Sequence, residues 1–485
     1  MPDAASAREP APDASAAAEP GGWPAVNVPR SHAPGVVWPA VPDWRQAVVL
    51  GLLHQFNQAQ WWSPDDLWHW QRAQAARLIL HAQKHVPFYR KRLKRVPILR
   101  DGTVPEGAWR RIPWLRREDM QNQYEALCSQ AIPEGHGRVS AVHSSGSTGR
   151  PIKALRTQLS VLFWEAFTHR DHDWHGRDRN QTVAVMRHAG EGDDPYPEGT
   201  RARNWGKEPT AVYDTGPCVA LNLNTPLDQQ VEWLQRQQPA YLLTFPSNVE
   251  RLARHCLETG ARIPTLRQVQ LIAEVVRPEL RELVRAAWGA EVVDTYSSRE
   301  AGYLALQCPE HEHLHVQSEG VIVEVLKDDG TPCTPGEIGR VVVTPLHNYA
   351  MPLIRYDIGD YAEVGEQCPC GRGLPVLRRV LGRAQTTFVL PDGSRRWTLL
   401  SSGEIRELLA IGPIRGYQFV QTTTDHVEAR LVADRALTTD EEEQVRGWLR
   451  HKLQHPFAVT IAYRDELPLT AGGKFFDFIS EVAAP

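Results

Sequence analysis

Between residues 182 and 290, short apolar runs alternate with longer stretches of helical spacing, and this alternation constrains the fold more than any other feature of the chain. Residues 182–186, 241–245 and 269–273 read as buried strands, and residues 249–259 and 278–288 read as helices. A strand that is apolar on both sides needs cover on both faces, which helices crossing between parallel strands supply. The expected fold class is therefore α/β with largely parallel sheets.

The rest of the 485 residues divides around that region. Residues 1–40 are rich in Ala, Pro, Ser and Gly and read as a disordered tail. Ser63 and Pro64 suit the N-cap and first position of a long amphipathic helix that ends before Pro87, with Leu67, Trp70, Ala73, Ala76, Leu78, Leu80 and Ala82 at helical spacing. After Gly320 the texture becomes β-rich, with strands expected over 321–326 and 339–344 and a turn at Asp328-Asp329-Gly330. Gly382-Arg383 opens a last unit with strand candidates over 386–390 and 427–432 and a helix over 440–453, capped by Thr439. The expected organisation is a large domain over 41–382 and a small α+β domain over 383–485.

The formal net charge of -4 supplies no basic field for nucleic acid or an anionic membrane. No apolar run approaches the roughly 18 residues of a membrane span. The N-terminus lacks a charged start followed by an apolar stretch, so a cytoplasmic location is expected.

Ser144, Ser145, Gly146, Ser147, Thr148 and Gly149 are followed by Arg150 and Pro151. Glycines let backbone N–H groups approach an anion, hydroxyls add donors, and Arg150 adds charge, which suits a polyphosphate. The run lacks the Walker pattern, and on composition alone a solvent-exposed turn fits it equally. Downstream stand Tyr296-Ser297-Ser298-Arg299-Glu300, Tyr356-Asp357-Ile358-Gly359-Asp360, Gly382-Arg383, and Pro468 to Lys474. These five blocks, in this order, resemble the signatures of the acyl-adenylate-forming superfamily.

Further stretches resemble its phenylacetate–CoA ligase branch: His85 to Arg90, Ile112 to Leu115 with Arg117 to Asp119, Phe245 to Asn248, and Pro352 to Tyr356. The resemblance implies that Ser144 to Gly149 hold the ATP phosphates, that Tyr296 stacks on adenine beside Ser297, and that Glu300 binds Mg²⁺. It implies that Asp360 accepts from the ribose hydroxyls, that Arg383 lies at a hinge, and that Lys474 stabilises the forming acyl-adenylate. Phe245, Pro246, Ser247, Ala273 and Glu274 fall where the branch builds its acyl pocket, with an aryl or arylacetic acid as substrate. The implied chemistry is ATP-dependent activation of a small carboxylic acid, then transfer to CoA, with a homodimer among the assemblies compatible with it. An amine or a carrier-protein thiol as acceptor, or a nucleotide-binding relative without catalysis, are the alternatives. Three positions depart from the pattern: Ser297 replaces glycine, Arg299 replaces threonine or serine, and Gln385 replaces aspartate.

Cys308, His315, Cys368 and Cys370 make a Cys₃His set suited to tetrahedral zinc, with His311 and His313 as competing ligands. Unligated thiols in a turn are the alternative. Relatives of this branch carry the same spacing around a structural Zn²⁺, which the resemblance extends to this chain.

Overall fold

The computed structural model describes residues 28–143, 152–190, 192–383, 387–397, 402–465, 467 and 476–482. Two long helices come first, α1 (Trp44–Ala59) and α2 (Pro64–His85). The Ser63 side chain accepts from the Asp66 N–H, Pro64 takes the first turn, and α2 stops before Pro87, all as expected. Its buried arc holds Leu67, Ala75, Ala76, Leu78, Ile79 and Ala82. Trp70 and Leu80, expected on that stripe, are 61% and 42% exposed, because at 100° per residue both fall outside the arc.

Four short helices follow, α3 (Pro87–Arg92), α4 (Glu106–Arg110), α5 (Arg117–Asn122) and α6 (Tyr124–Leu127). Then β1 (Val139–His143) and β2 (Lys153–Thr157) pair antiparallel, with His143 opposite Lys153. The Ser/Gly segment 144–151 falls between them in sequence and lies outside the described residues.

The α/β region runs α7 (Gln158–Trp174), β3 (Val183–Arg187), β4 (Thr200–Ala202), β5 (Cys218–Asn222), α8 (Leu227–Gln237), β6 (Tyr241–Thr244), α9 (Pro246–Thr259), β7 (Gln268–Ile272), α10 (Pro278–Trp288) and β8 (Glu291–Ser298). It is followed by β9 (Gly302–Gln307), β10 (Leu314–Val316), β11 (Val321–Leu326), β12 (Ile338–Pro345), β13 (Tyr356–Val364) and β14 (Val376–Arg383). Twelve strands make one sheet in the order β11-β12-β13-β14-β10-β9-β8-β7-β6-β3-β5-β4. Strands β5, β3, β6, β7 and β8 run parallel, which is the alternation read from the sequence. From β9 to β11 the pairing is antiparallel.

Val249, Leu252, Val284 and Trp233 pack over the parallel half against Leu242, Val269 and Leu271. A second core, with Trp109, Tyr89 and Leu78, covers the antiparallel half. Burying each large apolar side chain is worth roughly 1.5–3 kcal/mol, so these two cores fix the sheet that positions everything below.

The last unit contains β15 (Thr387–Val389), β16 (Arg395–Trp397), α11 (Ser402–Ala410), β17 (Ile414–Thr423), β18 (His426–Ala433), α12 (Thr439–Leu453), β19 (Ala458–Tyr463) and β20 (Phe478–Ser480). Its four-stranded sheet runs β19-β18-β17-β20 over a core of Phe388, Phe419, Val445, Leu449 and Phe457. The cap of α12 is Thr438, one residue before the expected Thr439. Thr438 accepts from the Glu441 N–H, and the Glu441 carboxylate accepts from the Thr438 N–H. No helix among the described residues is long and apolar enough to cross a membrane.

Candidate active site and metal centre

Parallel strands share a direction, so the residues that follow their C-terminal ends gather along one edge of the sheet. His188 follows β3, Phe245 follows β6, Ala273 and Glu274 follow β7, and Arg299 and Glu300 follow β8. Four segments far apart in sequence are thereby brought to one edge of the sheet. The rings of His188 and Phe245 lie 5.8 Å apart.

Two walls of the expected acyl pocket are tied by one carboxylate. Pro246 starts α9, but Phe245 at its N-cap gives no side-chain cap. Glu274 takes that part from the next strand end, accepting from the Ser247 N–H at 2.9 Å and from Ser247 Oγ at 3.1 Å. A carboxylate at a helix N-terminus meets the positive end of the helix dipole. Beside it Ala273 has φ +68°, a left-handed conformation that costs a non-glycine residue roughly 1 kcal/mol and gathers at functional sites.

The expected nucleotide residues converge as well. The Tyr296 hydroxyl, on β8, donates to Asp360 Oδ2 on β13 at 2.8 Å. In the β13–β14 register Asp360 stands opposite Arg383, so the junction backbone begins beside this pair. Gly359 and Gly382 have φ of +85° and +77°. At Gly382 an added Cβ would meet Val275 at 3.0 Å, so both conformation and space ask for glycine there. Ser297 sits at a register shift between β8 and β9. Arg299 does not point into open space: its Nη1 donates to the His143 carbonyl at 3.1 Å, at the entry to the Ser/Gly segment.

Glu300 is buried and lines a cavity of about 50 Å³ with Arg156, Ser160, Trp164, Tyr303 and His347. Burial pushes the His347 imidazole down to about 4, and its Nε2 lies 2.8 Å from the Glu319 carbonyl, so the ring is neutral in this wall. No sequence block marks Arg156. Its buried Nε has no hydrogen-bond partner, leaving a cation in the same cavity as Glu300. The side chain of Arg383 and all of Lys474 lie outside the described residues.

The cysteines and histidines form a separate cluster where β9 and β10 meet the 368–374 segment. Cys308, His313, His315 and Cys368 have ligand atoms all within 4.8 Å of one another. Cys308 Sγ lies 3.8 Å from Cys368 Sγ, and Cys370 Sγ lies 3.5 Å from His315 Nε2. Ligands about 2.0–2.3 Å from zinc stand about 3.5–3.8 Å apart on a tetrahedron, which these separations match. His313 Nε2 is buried and without a hydrogen-bond partner in the protein, as a nitrogen awaiting a ligand bond would be. Burial pushes His315 down to about 4 and keeps it neutral, with Nδ1 3.4 Å from the Leu374 carbonyl. The Glu310 and Cys370 N–H groups donate to Cys308 Sγ and Cys368 Sγ, each at 3.4 Å, but burial outweighs them and pushes both thiols up, Cys368 to about 12, so a bound cation would be needed to hold the thiolates. Spacing alone ranks His313 only as a competing ligand. The bend over 309–313 leading into β10 brings the His313 and His315 rings to 5.4 Å of each other, which spacing in the sequence does not disclose.

No protein-family model matches the chain. It is 26% identical over 328 residues to a phenylacetate-coenzyme A ligase of Thermus thermophilus, spanning 66% of this chain and 71% of that one. It is 23% identical over 407 residues to the phenylacetate-coenzyme A ligase of Escherichia coli, spanning 81% and 89%. Among solved structures, a 2-hydroxyisobutyryl-CoA ligase in the postadenylation state, in complex with R3-HIB-AMP, matches with a TM-score of 0.62 and 17% identity. That match covers 85% of this chain and 89% of the other, and it is a likeness of fold.

Proposed function

We propose that this chain, a phenylacetate–CoA ligase-like member of the adenylate-forming superfamily, activates a carboxylic acid with ATP as its acyl-adenylate and transfers the acyl group to CoA. The observation that carries the reading is the Tyr296–Asp360 hydrogen bond, which joins two of the sequence blocks, with Asp360 opposite Arg383 of a third in the β13–β14 register. Residues of three sequence blocks thus meet, which supports a shared nucleotide site.

In the first half-reaction the Ser144 to Gly149 segment holds the ATP phosphates, and the Tyr296 ring takes the adenine. Asp360 accepts from the ribose hydroxyls, a task for which a carboxylate with several acceptor sites is suited. Glu300 would hold Mg²⁺, which would supply neutralisation of the phosphate charge. The substrate carboxylate, placed between Phe245, Pro246, Ser247 and Ala273, attacks the α-phosphorus in line, and Lys474 stabilises the charge that develops as pyrophosphate leaves. In the second half-reaction the small domain turns about Gly382-Arg383, withdrawing Lys474 and admitting the CoA thiol. Resemblance to the phenylacetate–CoA ligase branch supports an aryl or arylacetic acid as substrate. Cys308, His315 and Cys368, with His313 or Cys370, hold a structural zinc that pins the loops around β10 and leaves no open position for chemistry.

ATP–pyrophosphate exchange across a panel of carboxylic acids tests the reading. Exchange with at least one aryl or arylacetic acid, followed by thioester formation with CoA, is the expected result. No exchange with any acid would end the ligase assignment; transfer to an amine or carrier thiol in preference to CoA would replace the acceptor. Lys474→Ala should abolish exchange while sparing thioester formation from supplied acyl-adenylate.

A further inference from the structure

Five residues between β7 and α10 touch three parts of the molecule. Ala273 and Glu274 belong to the acyl pocket, where Glu274 holds Ser247. Val275 packs against Gly382 at the domain junction. Arg277 reaches the small domain, where its guanidinium is hydrogen-bonded to Asp477 Oδ2.

Asp477 follows Lys474 by three residues and leads directly into β20. Its pair with Arg277 is sheltered, with side-chain exposures of 24% and 19% for the arginine and the aspartate. Glu250 of α9 approaches Arg277 Nη1 at 3.8 Å, and Tyr417 of β17 hydrogen-bonds into the same pair. One guanidinium thus serves a carboxylate from each domain. A sheltered guanidinium that turns its two terminal nitrogens to two different carboxylates fixes orientation as well as distance.

We infer that Arg277 and Asp477 are positioning residues for the adenylation half-reaction: their contact holds the start of β20 in the small domain against the 273–277 loop, and it must part before the acyl group is transferred. The inference rests on the ligase reading of Lys474 given above.

The two half-reactions separate this role from a merely structural one. Arg277→Gln and Asp477→Asn should each slow ATP–pyrophosphate exchange about thirtyfold at saturating substrates. Thioester formation from supplied acyl-adenylate and CoA should stay within about twofold. Arg277→Lys, which keeps the charge but loses the fork, should recover exchange to within about fivefold of the unsubstituted protein. Equal loss in both half-reactions, or undiminished exchange in both variants, would overturn the assignment. Hydrogen–deuterium exchange of peptides covering 414–423 and 476–482 supplies a readout that needs no turnover. Loss of protection there in Arg277→Gln supports the contact, and unchanged protection refutes it. Absence of exchange activity in the unsubstituted protein would instead remove the ligase reading and leave the contact to be judged by the protection data alone.

Discussion

Removing the Glu274 carboxylate should widen the acid pocket without touching the nucleotide. In Glu274→Ala the Ser247 N–H and Oγ lose their acceptor at 2.9 and 3.1 Å, and the N-terminus of α9 loses the only side-chain cap seen on it among the described residues. A hydrogen bond to a charged acceptor contributes about 1.5–3 kcal/mol, and the helix-dipole term adds roughly 0.3–1 kcal/mol. The two bonds share one carboxylate that is partly open to water, so they do not add fully, and a net loss of about 2 kcal/mol is expected. Felt at the pocket, about 2 kcal/mol corresponds to about thirtyfold in acid affinity. The assay is ATP–pyrophosphate exchange with acid and ATP varied in turn, alongside a urea unfolding curve. The acid KM should rise about thirtyfold, the ATP KM should move less than about twofold, and the urea midpoint should fall. Glu274→Gln, which keeps one acceptor oxygen, should lie between. An acid KM that stays put while kcat collapses would refute the reasoning, since Glu274 would then act on the reacting atoms.

Tyr296→Phe keeps the ring and deletes the donor to Asp360; the ATP KM should rise about tenfold, for the roughly 1.5 kcal/mol of one charge-assisted bond, and an unchanged value would separate Asp360 from the nucleotide. Purified protein should contain about one zinc per chain by elemental analysis, and Cys308→Ser/Cys368→Ser should contain none; full retention would refute this ligand set. His169 is fully buried and burial, reinforced by Arg179, pushes its imidazole down to about 3 from 6.5. The unfolded chain therefore takes up this proton first as pH falls below 6.5, and stability should drop from there toward about 3, by about 2.5 kcal/mol at pH 4.5. His169→Leu should remove that share of the acid dependence in urea unfolding, and an identical pH profile in the variant would contradict it.

The parallel half of the fold was legible because β6 and β7 are short, mostly apolar runs followed by α9 and α10 with clear periodicity. Helix α1 is hard to read although Asp43 and Gln46 form a capping box before it, since its apolar residues make no sharp stripe. Trp61 and Trp62, large apolar residues of a kind usually packed inside, are 52% and 41% exposed, and Trp61 faces the Arg372 guanidinium at 4.7 Å instead of a core. For the site, block order located Tyr296, Glu300 and Asp360, but sequence order is silent on which groups bond each other. That Glu274 would cap α9, that Arg277 would reach Asp477, and that Arg156 would share a cavity with Glu300 depend on strand ends brought together by the sheet.

The position of β14 has a consequence for how the chain comes together. It enters the sheet between β13, which precedes it closely in sequence, and β10, which lies some sixty residues earlier. Until residues 376–383 exist, β10 and β13 each present an unpaired edge, the kind of surface that recruits other chains. The late strand also makes the long-range closure that slows folding most. A chain released short of residue 376 would therefore keep its parallel half but expose two sticky edges, so aggregation should set in sharply at that length and recede once β14 is complete.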